Sequence, residues 1–232
     1  MKSYLSRSGV RLLLSIALTW SLTLCAGRAV TFSVSPAVTS NTYSGLIALN
    51  VGGLTNGEQV AIQKCLDVNA NGVVDPGEPL ADAFRVADGG AFMIGGITDI
   101  NVPFDRNPTN GALTTKLSIA PPRSLGNLVG QFVFILSSPG GHFSPLTATL
   151  TITNAALDQS ANGVVYSGGG SPLPYAVVVV LGMSTDGGGG RWVTGVVADN
   201  AGHYRVNLAP GSYMIVPTFP GYYTDLSLAA PV

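Results

Sequence analysis

Apolar and polar residues alternate with a period of two along nearly the whole chain, and a 3.6-residue period hardly appears. Alternation places successive side chains on opposite faces of an extended strand, so each segment can bury one face only. Thr31–Val34, Leu46–Val51, Gln59–Leu66, Ala91–Ile97, Leu113–Ile119, Gln131–Leu136 and Thr147–Thr153 all read this way. Turn residues bound them, as in Thr55-Asn56-Gly57 and Ser138-Pro139-Gly140-Gly141. Many short strands with frequent turns close as sandwiches or barrels. The fold class is all-β: two β-sandwiches in tandem after an N-terminal signal helix.

Composition narrows the function. The 46% apolar content is ample for a packed core and excludes disorder. Only 10% of the 232 residues are charged and the formal net charge is −1. An average domain carries about 25% charged residues. Such a chain has no basic excess to neutralise phosphates, which argues against a nucleic-acid partner.

Lys2, Arg7 and Arg11 precede an apolar run, Leu12–Leu24, followed by small residues at Ala26, Gly27 and Ala29. This order is that of a secretory signal, residues 1–29, with cleavage after Ala29 or, alternatively, Ala26. The run is too short for a comfortable bilayer span of about 20 residues, so the mature chain is expected to have no membrane span. A lipoprotein signal would use Cys25, but Leu24 stands before it where such signals carry a small residue. Removal of residues 1–29 leaves seven cations against twelve anions, and Cys65 as the one cysteine. An exported protein without a disulfide reads as bacterial, secreted or held at the cell surface. Cys65 falls within the alternating run Val60–Leu66 and is expected to be a buried small hydrophobe.

The polar stretch Asn154–Ala161 divides the mature chain. Residues 30–154 form the first expected sandwich, 155–161 the linker and 162–232 the second. The linker is expected to expose backbone and to let the halves fold independently. The closing segments of the first half, Gly130–Leu136 and Thr147–Thr153, read as a hairpin, and this half resembles bacterial immunoglobulin-like sandwiches in its pattern. The second half carries Asn162-Gly163-Val164, then Pro172-Leu173-Pro174-Tyr175-Ala176-Val177, then Asp199-Asn200-Ala201-Gly202-His203-Tyr204. Leu208-Ala209-Pro210-Gly211-Ser212-Tyr213 and Pro220-Gly221-Tyr222 follow. This order resembles the carboxypeptidase regulatory-like domain, a transthyretin-like sandwich. The resemblance implies an accessory module without peptidase activity, and none of that family's zinc-binding residues has a counterpart here. It also implies further strand residues after Pro-Gly-Tyr, so the second half is expected to be truncated at Val232.

One segment has the spacing of a chemical site. Residues 67–78 read Asp-Val-Asn-Ala-Asn-Gly-Val-Val-Asp-Pro-Gly-Glu. Counted from Asp67, oxygen-bearing side chains fall at positions 1, 3, 5, 9 and 12, with Gly72 at position 6. A twelve-residue loop wraps one calcium ion with this spacing, using side chains at 1, 3 and 5, a carbonyl at 7 and a bidentate Glu at 12. The expected ligands are therefore Asp67, Asn69, Asn71, the Val73 carbonyl, Asp75 and Glu78. One of only two Glu residues in the chain occupies the twelfth position. Helices should flank an EF-hand, yet a strand pattern precedes Asp67 and Pro79 follows Glu78. The loop resembles the dockerin-type calcium loops of bacterial surface and cellulosomal proteins, inserted here between strands. Three formal charges imply the weak affinity of extracellular calcium modules, about 10⁻⁴–10⁻³ M.

No nucleophile–base or metal-hydrolase motif accompanies this loop. Gly168–Gly170 and Gly187–Gly190 lack the Lys-Ser/Thr of a phosphate loop and read as loop tips. His142 and His203 sit beside glycines in expected turns. The sequence therefore implies a non-catalytic surface protein built of spacer or adhesion modules, which partners a glycan or another surface protein. The alternative is a set of accessory domains of a larger secreted enzyme, with Tyr222, Tyr223 and Trp192 as an aromatic platform for carbohydrate.

Overall fold

The computed structural model describes residues 29–90, 103–120, 125–183 and 190–224. The expected signal, the strand at Ala91–Ile97, the tip at Gly187–Gly189 and the chain end after Thr224 lie outside these residues. The described residues are all-β.

The described residues of the first half hold eight strands: β1 (Thr31–Ser35), β2 (Val38–Ser40), β3 (Leu46–Gly52), β4 (Gln59–Asp67), β5 (Leu80–Ala87), β6 (Ala112–Ser118), β7 (Gly130–Ser137) and β8 (Leu146–Thr153). They form a three-stranded sheet, β1-β3-β6, and a five-stranded sheet, β2-β8-β7-β4-β5. Among these described strands the β2–β8 pair is parallel and the others are antiparallel. The expected closing hairpin is β7–β8, with Gly130 opposite Ile152 and Leu136 opposite Leu146. Alternation does what it predicts: Ile47, Leu49 and Val51 of β3 meet Val60, Ile62 and Leu66 of β4 and Phe132, Phe134 and Leu136 of β7 in one buried core. Two sheets sharing one core make this half a sandwich.

The second half has β9 (Gln159–Val164), β10 (Val177–Gly182), β11 (Arg191–Val197), β12 (His203–Leu208) and β13 (Tyr213–Thr218). Its sheets are β11-β10-β13 and β12-β9. Val178 and Val180 pack on Val206 and Leu208, with Tyr204 and Tyr213 half-buried against them. β9 begins at Gln159, inside the stretch read as linker, and Ala155 is buried.

β4 departs from simple alternation. The β4–β5 register shifts between Lys64 and Cys65, and both residues, on opposite faces of β4, are buried. The Lys64 ammonium lies 3.9 Å from the centre of the Phe132 ring and donates to the Gly126 carbonyl at 3.3 Å. Charge-assisted bonds and ring contacts of this kind are what make a buried lysine tolerable. Cys65 is buried and free, as the sequence predicts. Burial pushes its thiol pKa up, and the charge of nearby Glu78 pushes it further. It is therefore poorly suited to be a nucleophile.

Candidate metal centre

β4 delivers Asp67 to the loop fully buried, and β5 resumes at Leu80. Between them the chain folds back on itself, with positive φ at Ala70 (55°), Gly72 (81°) and Gly77 (97°). The two glycines adopt that region without the cost a side chain would add. Asp67 organises the first turn: Oδ1 accepts from the Asn71 N–H at 3.1 Å and Oδ2 from the Gly72 N–H at 2.7 Å. Oδ2 also accepts from Gln131 Nε2 at 3.0 Å, tying the loop to β7. Glu78 closes the ring. Its Oε1 accepts from the Val68 N–H and its Oε2 from the Asp75 N–H, both at 2.9 Å. Asn69 and Asn71 each donate an amide N–H to Asp75 Oδ2 at 2.8 Å.

The loop thus brings Asn69, Asn71 and Asp75 into direct contact and folds Asp67 and Glu78 around the same backbone. It does not bring three carboxylates to one point: among the described residues no group of three His, Cys, Asp or Glu is placed to hold a metal ion. Val73 is exposed, and its N–H donates to Asn71 Oδ1 at 2.7 Å. The donors that the loop carries are all hard oxygens, three carboxylates and two carboxamides with backbone carbonyls, the chemistry that suits calcium rather than zinc or copper.

Other polar groups, not legible in the sequence, cluster at the seam between the halves. Asn127 Nδ2 donates to the Asn41 carbonyl at 3.0 Å and to the Val193 carbonyl at 2.8 Å. Its Oδ1 accepts from Trp192 Nε1 at 2.8 Å. Asn41 Nδ2 donates to Thr194 Oγ1 at 3.2 Å, and Asn41 Oδ1 accepts from the Ala155 N–H at 2.9 Å. Backbone continues the seam: the Val129 N–H donates to the Gly195 carbonyl at 2.8 Å, and the Val197 N–H to the Val129 carbonyl at 3.2 Å. On the other sheet, Asn154 and Ala155 bond to Arg205 and Asn207 of β12. Trp192 therefore belongs to the seam and does not share a groove with Tyr222 and Tyr223. Those two tyrosines line a cleft of about 430 Å³ with Tyr166, Leu173, Ile215 and Phe219.

Both histidines sit beside a carboxylate. His142 Nδ1 lies 3.1 Å from Glu58 Oε1, and His203 Nδ1 lies 3.6 Å from Asp199 Oδ1. Glu58 Oε1 also accepts from Ser138 Oγ at 3.2 Å. In this arrangement the Ser138 hydroxyl is spent on the carboxylate rather than on the imidazole, the reverse of an activated nucleophile.

No protein-family model matches the chain, and no curated protein matches it. Solved structures similar to it include macromomycin, with a TM-score of 0.32 at 18% identity, over 54% of this chain and all of that one. The adhesin InvE of Yersinia pseudotuberculosis aligns with a TM-score of 0.32 at 11% identity, over 88% of this chain. The major pilin subunit BcpA of Bacillus cereus aligns over 88% at 12% identity, with a TM-score of 0.22. The chain spans 57% of the adhesin and 62% of the pilin chain. Among the described residues no helix is long and apolar enough to cross a membrane.

Proposed function

We propose that the chain is a non-catalytic, exported module of a bacterial surface, two β-sandwiches of which the first is stabilised by calcium in the 67–78 loop. The loop carries the reading. Its spacing is that of a twelve-residue calcium loop, and a chain of hydrogen bonds links Asp67 to Asn71, Asn69 and Asn71 to Asp75, and Asp75 to Glu78. A cation at Asp75 would turn the Asn69 and Asn71 amides so that oxygen replaces nitrogen on that side, a rotation about a single bond. Asp67, Glu78 and the Val73 carbonyl would complete the shell. The ion would supply charge that holds the loop; it would take no part in a reaction. At about 1 mM calcium and a dissociation constant near 10⁻⁴ M, linkage stabilises the fold by about 1.4 kcal/mol.

The test is chemical denaturation of the chain in calcium and in chelator. Calcium should raise the midpoint, and Glu78→Gln should abolish the rise. Equal midpoints in calcium and chelator would remove the proposal.

A second reading, accessory domains of a secreted enzyme that bind carbohydrate, is favoured by one observation. Tyr166 and Tyr222 are half-exposed and Tyr223 fully so around one cleft. Exposed tyrosines present an apolar face with a polar tip, which suits sugar rings. A glycan array separates the two, since a preference for one polysaccharide that Tyr222→Ala removes would favour the accessory role.

A further inference from the structure

Among the described residues, four glycines of positive φ follow an asparagine or an aspartate. They are Gly57 after Asn56, Gly72 after Asn71, Gly89 after Asp88 and Gly111 after Asn110, with φ of 75°, 81°, 70° and 78°. Such steps suit tight turns. They are also where a polypeptide most readily modifies itself. The glycine nitrogen loses its proton to solvent hydroxide and attacks the side-chain carbonyl carbon of the residue before it. A C–N bond forms, ammonia leaves asparagine with a proton from water (aspartate loses water), and a succinimide ring remains. Water then opens the ring to aspartate or isoaspartate. Isoaspartate adds a methylene to the backbone, which a turn of fixed geometry cannot absorb.

In all four steps the N–H that would have to attack is bonded to the carboxylate of a different aspartate. Asp88 Oδ2 accepts from Gly57 at 3.0 Å and from Gly111 at 2.9 Å. Asp105 Oδ2 accepts from Gly89 at 2.8 Å, and Asp67 Oδ2 from Gly72 at 2.7 Å. All three carboxylates are buried, whereas Asn56 and Asn110 are exposed and within reach of water. Asp88 serves two turns at once. Its Oδ1 is buried without a hydrogen-bond partner, so the group is spent on these two N–H groups. Attack requires that the bond to the carboxylate break and that the nitrogen become an anion beside a negative charge, a repulsion that burial leaves weakly screened. A carboxylate is too weak a base to take the amide proton itself.

We propose that Asp88 guards the Asn56-Gly57 and Asn110-Gly111 turns against succinimide formation, and that Asp105 guards Asp88 in the same way through Gly89. Asn56 and Asn110 are latent modification sites that open together once Asp88 is lost. Isomerisation of Asp88 would displace its carboxylate and release both turns, so Asp105 protects them at one remove.

The whole chain is incubated at mildly alkaline pH, folded and in urea, and isoaspartate at each site is measured by peptide mass spectrometry. Asn56 and Asn110 should convert roughly tenfold or more slowly in the folded chain. Asp88→Asn keeps the shape of the side chain and an acceptor oxygen but removes the charge. In that variant, folded as judged by its urea transition, conversion at Asn56 and Asn110 should rise several-fold. Asn71, which faces Asp67, and Asn162, in β9, should keep their parent rates. The carboxamide placed before Gly89 still faces Asp105 and should stay slow. Parent rates at Asn56 and Asn110 in the folded variant, or an equal rise at Asn162, would overturn the guard. Asp105→Asn is the second variant and should raise isomerisation at Asp88; an unchanged rate there would overturn the protection by Asp105. If neither variant folds, the parent decides: folded rates at Asn56 and Asn110 equal to those in urea would overturn the proposal.

Discussion

Glu58 joins two turns, and its environment makes an acid-sensitive contact. Burial raises its pKa, but the Thr55 N–H, His142 and the Ser138 hydroxyl outweigh burial and hold the carboxyl below its ordinary value. A carboxyl so held contributes stability that is fully present above its unfolded pKa of about 4.3 and is lost as pH falls through the folded value. Glu58→Gln should therefore lower the urea midpoint at pH 7, with the gap from the parent closing as pH falls below about 4.3. A gap that stays constant with pH would refute this account of Glu58. Cys65, with its thiol pushed up by burial, should resist thiol reagents in the native chain at pH 7 and react only on unfolding; full labelling of the native protein would contradict that. The Cys65 burial was legible because the residue lies in an apolar strand, although strict alternation from Val60 and Ile62 puts it on the face opposite the main core. Glu58 and His142 were not, because their contact spans 84 residues and no local pattern encodes it.

Among the elements, alternation located most of the described strands to within a few residues. It missed β2, only three residues long, and β5, whose Leu-Ala-Asp-Ala-Phe-Arg-Val-Ala has three small and two charged residues where a clear pattern would need contrast. Turns were more legible, since their residues carry the geometry. Gly202 has φ at 79°, and a Cβ there would stand 3.0 Å from the Val165 carbonyl oxygen. Asp199 fixes the same turn, its Oδ1 accepting from the Ala201 and His203 N–H groups at 2.8 and 2.9 Å. Gly202→Ala should cost about 1–3 kcal/mol in thermal or chemical unfolding, through backbone strain. A loss within 0.5 kcal/mol would mean that the β11–β12 turn does not need its glycine.

At the scale of the molecule, the polar stretch near Asn154 suggested two independent halves, while the seam binds them through asparagine side chains and two backbone bonds. Asparagines are common in turns, so nothing in the sequence marks Asn41 and Asn127 as buried ties; only the packing of the two halves makes them so. Removing the Asn127 side chain leaves the Asn41 and Val193 carbonyls and Trp192 Nε1 without that partner. Asn127→Ala should cost about 2–4 kcal/mol, near 1 kcal/mol for each lost bond. It should also split a single calorimetric unfolding peak into two. Two peaks already present in the parent chain would show that the seam does not couple the halves. The candidate calcium loop was visible in sequence for the opposite reason, since its expected donors lie within twelve residues and the motif is their spacing.

The most direct measurement is isothermal titration of calcium into the purified chain. One site with a dissociation constant of about 10⁻⁴–10⁻³ M, absent in Glu78→Gln, is the predicted result. No heat at millimolar calcium, or binding unchanged in Glu78→Gln, would contradict the account.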